Sequence, residues 1–276
     1  MKLETIKGRD VHTGEMIGST VERREDPRLI TGDAEYVDDI QYPRMGHLAI
    51  KRSQYGHARI TNIETSGAEA IEGVLAVYTA ADIESSGVPG TLAFSPADAA
   101  PDHFMMAKDK VVYQGEPVAA VVAEDRYTAR DAVDAIDVDY DRLEAVVDSI
   151  EAADDDAPVL HEDLGTNVGI DWETGDEAEV EAILDEADNI VELEFTNQEL
   201  IPTAMEPRAT VARYQSSSQE LVVEMTSQNP HNHRDHLADA LDLPQNKVRV
   251  RSPDVGGGFG AKIHHYSDET ITAWCA

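Results

Sequence analysis

The feature that most constrains this chain is a short apolar run, Val118-Ala119-Ala120-Val121-Val122-Ala123, bounded on its N-terminal side by Gln114-Gly115-Glu116-Pro117. So compact a run between turn residues, rich in valine, reads as a strand buried on both faces. Such a strand needs other elements to cover it, and the chain supplies them directly. Ala129, Ala132, Val133 and Ile136 follow at helical spacing, which predicts a helix over 126–135. Ile136-Asp137-Val138-Asp139-Tyr140 then alternates with period two and predicts a strand with one wet face. Strand, helix and strand in so short a span imply a small α/β or α+β domain.

The surrounding pattern fills in an order of elements. Residues 47–52 and 74–78 suit strands. Gly32 to Asp39 reads as a turn entering a short extended piece. The stretch 85–102 mixes Gly, Pro, Ser and Asp without a period and predicts a long loop. Residues 1–17 are polar and unpatterned and are expected to form a mobile leader. The acid-rich run 151–158 looks like a linker, so the expected division is a leader at 1–17, one domain at 18–150, the linker, and a second domain at 159–276. Beyond the linker the pattern predicts a helix over 178–187, strands over 189–197 and 221–225, and a helix over 233–241. A strand over 247–250 then runs into a glycine cluster, with a helix beginning near Ser267.

Charge narrows the partners. The 276 residues carry 22 Lys+Arg against 55 Asp+Glu, a formal net charge of −33. A surface so acidic repels phosphate backbones and anionic lipid heads, which argues against nucleic acid and membrane surfaces. No uncharged run approaches the ~18 residues of a membrane span, and the N-terminus has no apolar signal segment, so a cytoplasmic chain is expected. Dispersed carboxylates with few lysines resemble the cytosolic proteins of halophiles, in which salt screens the self-repulsion. The single cysteine, Cys275, excludes an internal disulfide. It also excludes an iron–sulfur cluster held by this chain alone, which needs about four thiolates.

The strongest local signal is Val255-Gly256-Gly257-Gly258-Phe259-Gly260-Ala261-Lys262. Consecutive glycines cost backbone entropy, and they make sense where φ must be positive or where a neighbour comes too close for a Cβ. Backbone amides exposed there can cradle an anionic or oxo-bearing ligand. A tight turn before the next helix is the plainer reading. A phosphate-binding P-loop fails, because Lys262 is followed by Ile263 rather than Ser or Thr. The dinucleotide pattern Gly256, Gly258, Ala261 is a weak match, since no second strand with a ribose-binding acid follows it. His231, His233 and His236, with His264 and His265 further on, do not share one helical face and have no cysteine nearby. Solvated or capping histidines are therefore expected, and no directly metal-ligating residue is assigned. Asp154-Asp155-Asp156 lacks the alternating ligand spacing of a calcium loop and reads as solvated linker.

Taken together, several motifs resemble the large, molybdopterin-binding subunits of the xanthine dehydrogenase family, which includes aldehyde oxidoreductases and aerobic carbon monoxide dehydrogenases. Met205-Glu206-Pro207-Arg208-Ala209, Thr226-Ser227-Gln228-Asn229-Pro230-His231 and the glycine cluster carry the resemblance in the second half. Gly32 to Asp39, Arg52-Ser53 with His57-Ala58-Arg59-Ile60, and Gln114-Gly115-Glu116-Pro117-Val118-Ala119 carry it in the first. The resemblance implies an α+β chain: an α/β hammerhead domain followed by the beginning of a molybdopterin-binding domain. It implies that Gln228 hydrogen-bonds an oxygen ligand of molybdenum and that Gly257, Gly258, Phe259 and Gly260 lie beside the cofactor. Ile263 stands where purine-hydroxylating members carry a glutamate, which points to aldehyde, carbon monoxide or aromatic substrates. The family's catalytic glutamate is expected beyond residue 276, so no catalytic residue is assigned in this chain. The cofactor implied is molybdopterin, alone or as its cytosine dinucleotide. The partners implied are the C-terminal remainder of the large subunit, an iron–sulfur small subunit with 2Fe-2S clusters and a medium subunit with FAD. A scaffold module or gene remnant that keeps the hammerhead fold is the alternative reading.

Overall fold

The computed structural model describes residues 22–92, 101, 103–198 and 200–276, so the expected leader lies outside the described residues. The chain divides into two compact units between Glu35 and Tyr36. In the first, helix α1 (Asp26–Thr31) ends at Gly32, whose left-handed conformation lets its amide reach back to the Arg28 carbonyl. All other elements belong to the second unit. There Val37–Asp39 forms a 3₁₀ turn where the sequence predicts an extended piece. The Tyr36 amide donates to the Asp39 carboxylate at 3.0 Å, and that local bond closes the turn.

Strands β1 (His47–Arg52), β2 (Ala58–Glu64) and β3 (Val74–Thr79) alternate with short helices α2 (Ser66–Glu69) and α3 (Ala80–Ser86). Strand β4 (Thr91–Leu92), which pairs with β5 (His103–Phe104), falls inside the loop expected over 85–102, of which 93–100 and 102 lie outside the described residues. Then come β6 (Lys110–Val111), β7 (Pro117–Ala123), α4 (Arg126–Asp134) and β8 (Asp137–Arg142).

The apolar run becomes β7, the centre of an antiparallel sheet β1-β7-β3, with Val121 opposite Ala49 on one side and Val77 on the other. Helix α4 starts at Asp125, whose carboxylate accepts from the Tyr127 and Thr128 amides at 2.8 and 3.0 Å. Its Ala132 is fully buried with Ala119, Val121 and Ile136. β8 joins a second sheet, β6-β2-β8, and sets Val138 and Tyr140 against the buried Ala58, Val111 and Val118.

Past β8, the expected linker is tied down by one side chain. Asn167 donates to the carbonyls of Ala152 and Pro158 (3.1 and 3.0 Å) and accepts from the Leu160 amide at 2.9 Å. Helix α5 (Glu177–Asp185) forms close to its predicted place but buries no residue. The strand predicted over 189–197 is absent among the described residues: that segment has no secondary structure and lies open to water. A strand exists only where a neighbour takes its backbone groups, and here none is present.

A third sheet, ordered β11-β10-β9, is built from β9 (Thr210–Gln215), β10 (Glu220–Met225) and β11 (Val248–Arg251). β10 runs antiparallel to β9 and parallel to β11, and α6 (Pro230–Ala240) makes the crossover between the parallel pair. The glycine cluster follows β11, and α7 (Ser267–Trp274) comes last. One apolar cluster joins Ile83, Met105 and Ala120 to Leu221, Leu237 and Ile271, so elements from both sides of the expected linker share a core. No helix among the described residues is long and apolar enough to cross a membrane.

Candidate cofactor site

The glycine loop needs its glycines for two different reasons. Gly257 and Gly260 adopt φ of +101° and +91°, and Phe259 between them is itself at +53°. Gly256 and Gly258 are not in that region; they are needed for space. A Cβ on Gly256 would lie 2.5 Å from the Glu206 Cβ, and one on Gly258 would lie 2.5 Å from the Gln228 Cδ. The positive φ expected for glycines of this cluster therefore does not extend to Gly258, where close approach of Gln228 is the constraint.

That close approach has a chemical purpose. The Gln228 Oε1 accepts from the backbone amides of Gly260 (3.0 Å) and Lys262 (3.3 Å), while the Gln228 amide donates to the Lys262 carbonyl at 2.9 Å. The carbonyl end of the side chain is thus committed to the loop, and the NH₂ end is what the exposed side chain can offer a ligand. Phe259 and Ile263 stand at the rim, 75% and 44% exposed. Gln228, from the turn between β10 and α6, thus meets Gly257 to Gly260 and Ile263 at one loop.

Beneath the loop lie residues whose role no local pattern in the sequence announces. The Lys262 ammonium, 2% exposed, donates to the Glu206 carbonyl at 2.8 Å and pairs with its carboxylate at 3.3 Å. The same carboxylate accepts from the Gly256 amide at 2.6 Å. A buried ion pair gains little net stability over apolar packing, so its value here lies in fixing the register of the loop. Arg208 pairs with Glu269 and Asp268 (3.0 and 3.1 Å) and lies 3.8 Å over the Tyr266 ring. Arg52 reaches the same Asp268 at 2.6 Å while donating to the Gly115 carbonyl at 3.0 Å. Two arginines from motifs far apart in sequence therefore meet on the acidic first turn of α7, where carboxylates also suit the helix dipole. The family motifs contain these residues, but only the fold shows what they hold.

The histidines depart from expectation. His231 and His264 are exposed, but His233 and His265 are buried, with their Nδ1 atoms 2.9 Å apart and the His265 Nε2 2.6 Å from the Thr270 hydroxyl. Periodicity could not foresee this, because His265 lies outside the helix that carries His233. Burial pushes His233 down to about 4 and His265 down to about 3, so both are neutral near pH 7. Burial pushes the Glu269 carboxyl up to about 7, with Arg208 pulling the other way. Donor atoms of His233, His265 and Glu269 lie within 4.8 Å of one another, but the histidines bond each other and Arg208 holds the glutamate. Asp154, Asp155 and Asp156 are exposed, as solvated linker residues should be.

The small sheets and the glutamine-braced glycine loop fall in two segments that family models of molybdenum enzymes match. The model of the aldehyde oxidase and xanthine dehydrogenase a/b hammerhead domain matches residues 31–144, and that of the molybdopterin cofactor-binding domain matches 160–276. The chain belongs to this family of molybdenum hydroxylase large subunits, as a partial one. It is 36% identical over 263 residues to the carbon monoxide dehydrogenase large chain of Afipia carboxidovorans, covering 91% of this chain and 32% of that one. It is 34% identical to the nicotine 6-hydroxylase large subunit of Paenarthrobacter nicotinovorans, covering 94% of this chain and 32% of that subunit. The solved structure of reconstituted carbon monoxide dehydrogenase from Oligotropha carboxidovorans superposes with a TM-score of 0.84 at 35% identity, over 94% of this chain and 33% of that one. The chain thus spans about a third of the length of these relatives.

The residues present fit a molybdopterin group. The Gln228 carbonyl is taken by the loop amides, so its NH₂ is the donor left for an oxygen ligand of the metal, and at Gly260 nothing lies within 4 Å of where a Cβ would be.

Proposed function

We propose that this chain is the N-terminal part of a molybdenum hydroxylase large subunit, with Gln228 and residues 257–260 forming one wall of its cofactor site. The observation that supports this reading is the commitment of the Gln228 carbonyl to two loop amides, which leaves its NH₂ as a fixed donor. When bound, the cofactor, as molybdopterin or its cytosine dinucleotide, supplies the oxidative hydroxylation chemistry. The part of this chain is narrower. The Gln228 NH₂ would donate to an oxygen ligand of the bound group, Gly260 adds no side chain to the wall, and the Lys262–Glu206 pair holds the loop in place. Ile263 gives the rim an aliphatic side chain, which suits an aldehyde, an aromatic heterocycle or carbon monoxide better than xanthine. A single cysteine cannot hold an iron–sulfur cluster, so the 2Fe-2S and FAD groups that would accept the electrons would lie in a small and a medium subunit. The base that activates the reacting group resides in the remaining two thirds of the large subunit, and the setting is cytoplasmic.

The chain purified alone is therefore expected to hold no stoichiometric molybdenum and to show no hydroxylase or carbon monoxide oxidation activity, because a partial wall makes too few simultaneous contacts. Co-produced with a complementary C-terminal polypeptide, it should gain metal. Gln228→Ala should then lower kcat by about 10- to 100-fold, the scale of losing an outer-shell hydrogen-bond partner of a metal site. A full molybdenum complement on the lone chain, or a reconstituted enzyme indifferent to Gln228→Ala, would overturn the reading.

A further inference from the structure

We infer that residues 168–205 are a docking surface for the C-terminal remainder of the large subunit, and that residues 190–195 enter a sheet of that remainder as an added strand. This rests on the large-subunit reading and gives it a surface. Every described residue from 170 to 198 is exposed. Thirteen of the 23 large apolar side chains exposed among the described residues fall within 168–205. Scattered exposed apolar residues are ordinary; a concentration of them marks an interaction site.

The exposed side chains are also patterned. On α5, Val180, Ile183 and Leu184 are 55%, 62% and 45% exposed at helical spacing. In the segment beyond it, Val191, Leu193 and Phe195 are 93%, 78% and 77% exposed at strand spacing, alternating with Glu192 and Glu194. One helical stripe and one strand-spaced face, both built for burial, have nothing over them among the described residues. A segment outside any sheet of the described residues, with apolar side chains on alternate positions, is one that strand addition can recognise.

Charge and position select the occupant. Between residues 143 and 207 there is no Lys or Arg, while acidic residues are frequent. A second copy would set carboxylates against carboxylates across the contact, which is repulsive. The occupant instead presents an apolar groove with basic groups facing Glu192 and Glu194. The stretch also leads directly into the cofactor wall. The Glu206 amide donates to the Gly256 carbonyl at 3.2 Å, and a Cβ on Gly257 would lie 3.3 Å from the Ala204 Cβ. A body covering 168–205 would therefore reach the glycine loop, where Phe259 stands exposed. The relatives' further two thirds of chain is a body of the right size to do both.

Hydrogen–deuterium exchange of this chain tests the assignment. The probe is the part of the Afipia carboxidovorans large chain that follows its match to this one, shown to be competent by assembly with its own N-terminal third. The expected result is a one-to-one complex with slowed exchange across 177–195. The double variant Val191→Asp, Phe195→Asp should leave the melting of the lone chain unchanged and weaken the complex by about 100-fold or more, as losing anchors at the centre of an interface does. A complex with unchanged exchange at 177–195, or one indifferent to the double variant, overturns the surface and leaves the large-subunit reading standing. Slowed exchange through self-association of the lone chain overturns the occupant. No complex with a competent probe overturns both.

Discussion

Two segments of this protein carry nearly the same pattern and meet opposite fates. Asp137-Val138-Asp139-Tyr140 and Val191-Glu192-Leu193-Glu194-Phe195 both alternate acid with apolar, and the second is the more hydrophobic. The first is paired with β2 and packs Val138 and Tyr140 on a buried cluster. The second has no strand partner among the described residues, and its apolar face lies in water. Alternation sets which face would be buried; a neighbouring strand and a covering layer decide whether it is. The difference separates a region whose core is complete from one whose core is only half present.

The largest expected effect tests that separation directly. Val121→Asp would place a charge at a fully buried position flanked by strands on both sides. It should cost about 4 kcal/mol or more, enough to abolish cooperative folding. Leu193→Asp, at a position 78% exposed, should change stability by no more than about 0.5 kcal/mol. Urea denaturation followed by circular dichroism reads both. A large loss from Leu193→Asp would show that the segment is packed after all.

The same contrast explains what the sequence could reveal. β7, α4 and β8 were legible because their pattern, caps and partners lie within a few residues of one another. β9 was not, because Thr210-Val211-Ala212-Arg213-Tyr214-Gln215 lacks clean alternation and its place depends on β10. In the candidate site, the glycines and Gln228 were legible through local composition and family motifs. The buried Lys262–Glu206 pair and the meeting of Arg52 with Arg208 on α7 were not. Those contacts join residues more than fifty positions apart, and no local period encodes them.

The next effect in size is a pH dependence carried by the packed region. His233 and His265 sit at about 4 and about 3, below the ordinary 6.5, so the unfolded chain takes up their protons first. Their contribution to stability is present above pH 6.5 and is lost as pH falls through about 4 and 3. Glu269, raised to about 7 from 4.5, acts with the opposite sign: its contribution is present below 4.5 and lost as pH rises through 7. The two effects offset each other between pH 7 and 4.5, and below 4.5 only the histidine loss continues. That loss amounts to a few kcal/mol, since each tenfold change in proton affinity is worth about 1.4 kcal/mol. Denaturant midpoints should therefore fall more steeply below pH 4.5 than above it. His265→Asn should flatten that acid limb; an unchanged slope in the variant would remove the histidine pair as its cause.

The smallest effect distinguishes a braced neighbour from a loose one within a single loop. A Cβ at Gly256 meets the Glu206 Cβ at 2.5 Å and the Glu206 backbone nitrogen at 3.3 Å, and neither can swing away. Glu206 is also held by Lys262 and by the Gly256 amide itself. Gly256→Ala must therefore shift backbone against a buried ion pair, at an expected cost of about 2 kcal/mol. The atoms nearest a Cβ at Gly258 all belong to the exposed Gln228 side chain, which can yield by rotating once its bonds to the two loop amides break. Gly258→Ala should cost less than about 1 kcal/mol, yet it must displace the Gln228 carbonyl from the Gly260 and Lys262 amides. The pair of variants thus divides fold from site: one weakens the scaffold, and the other leaves it standing with the donor misplaced. Equilibrium denaturation gives the first comparison, and the Gln228 side-chain amide resonance gives the second. Equal losses of stability, or an unmoved Gln228 resonance in Gly258→Ala, would mean that the loop tolerates side chains by moving its backbone, and the spatial argument for its glycines would fail.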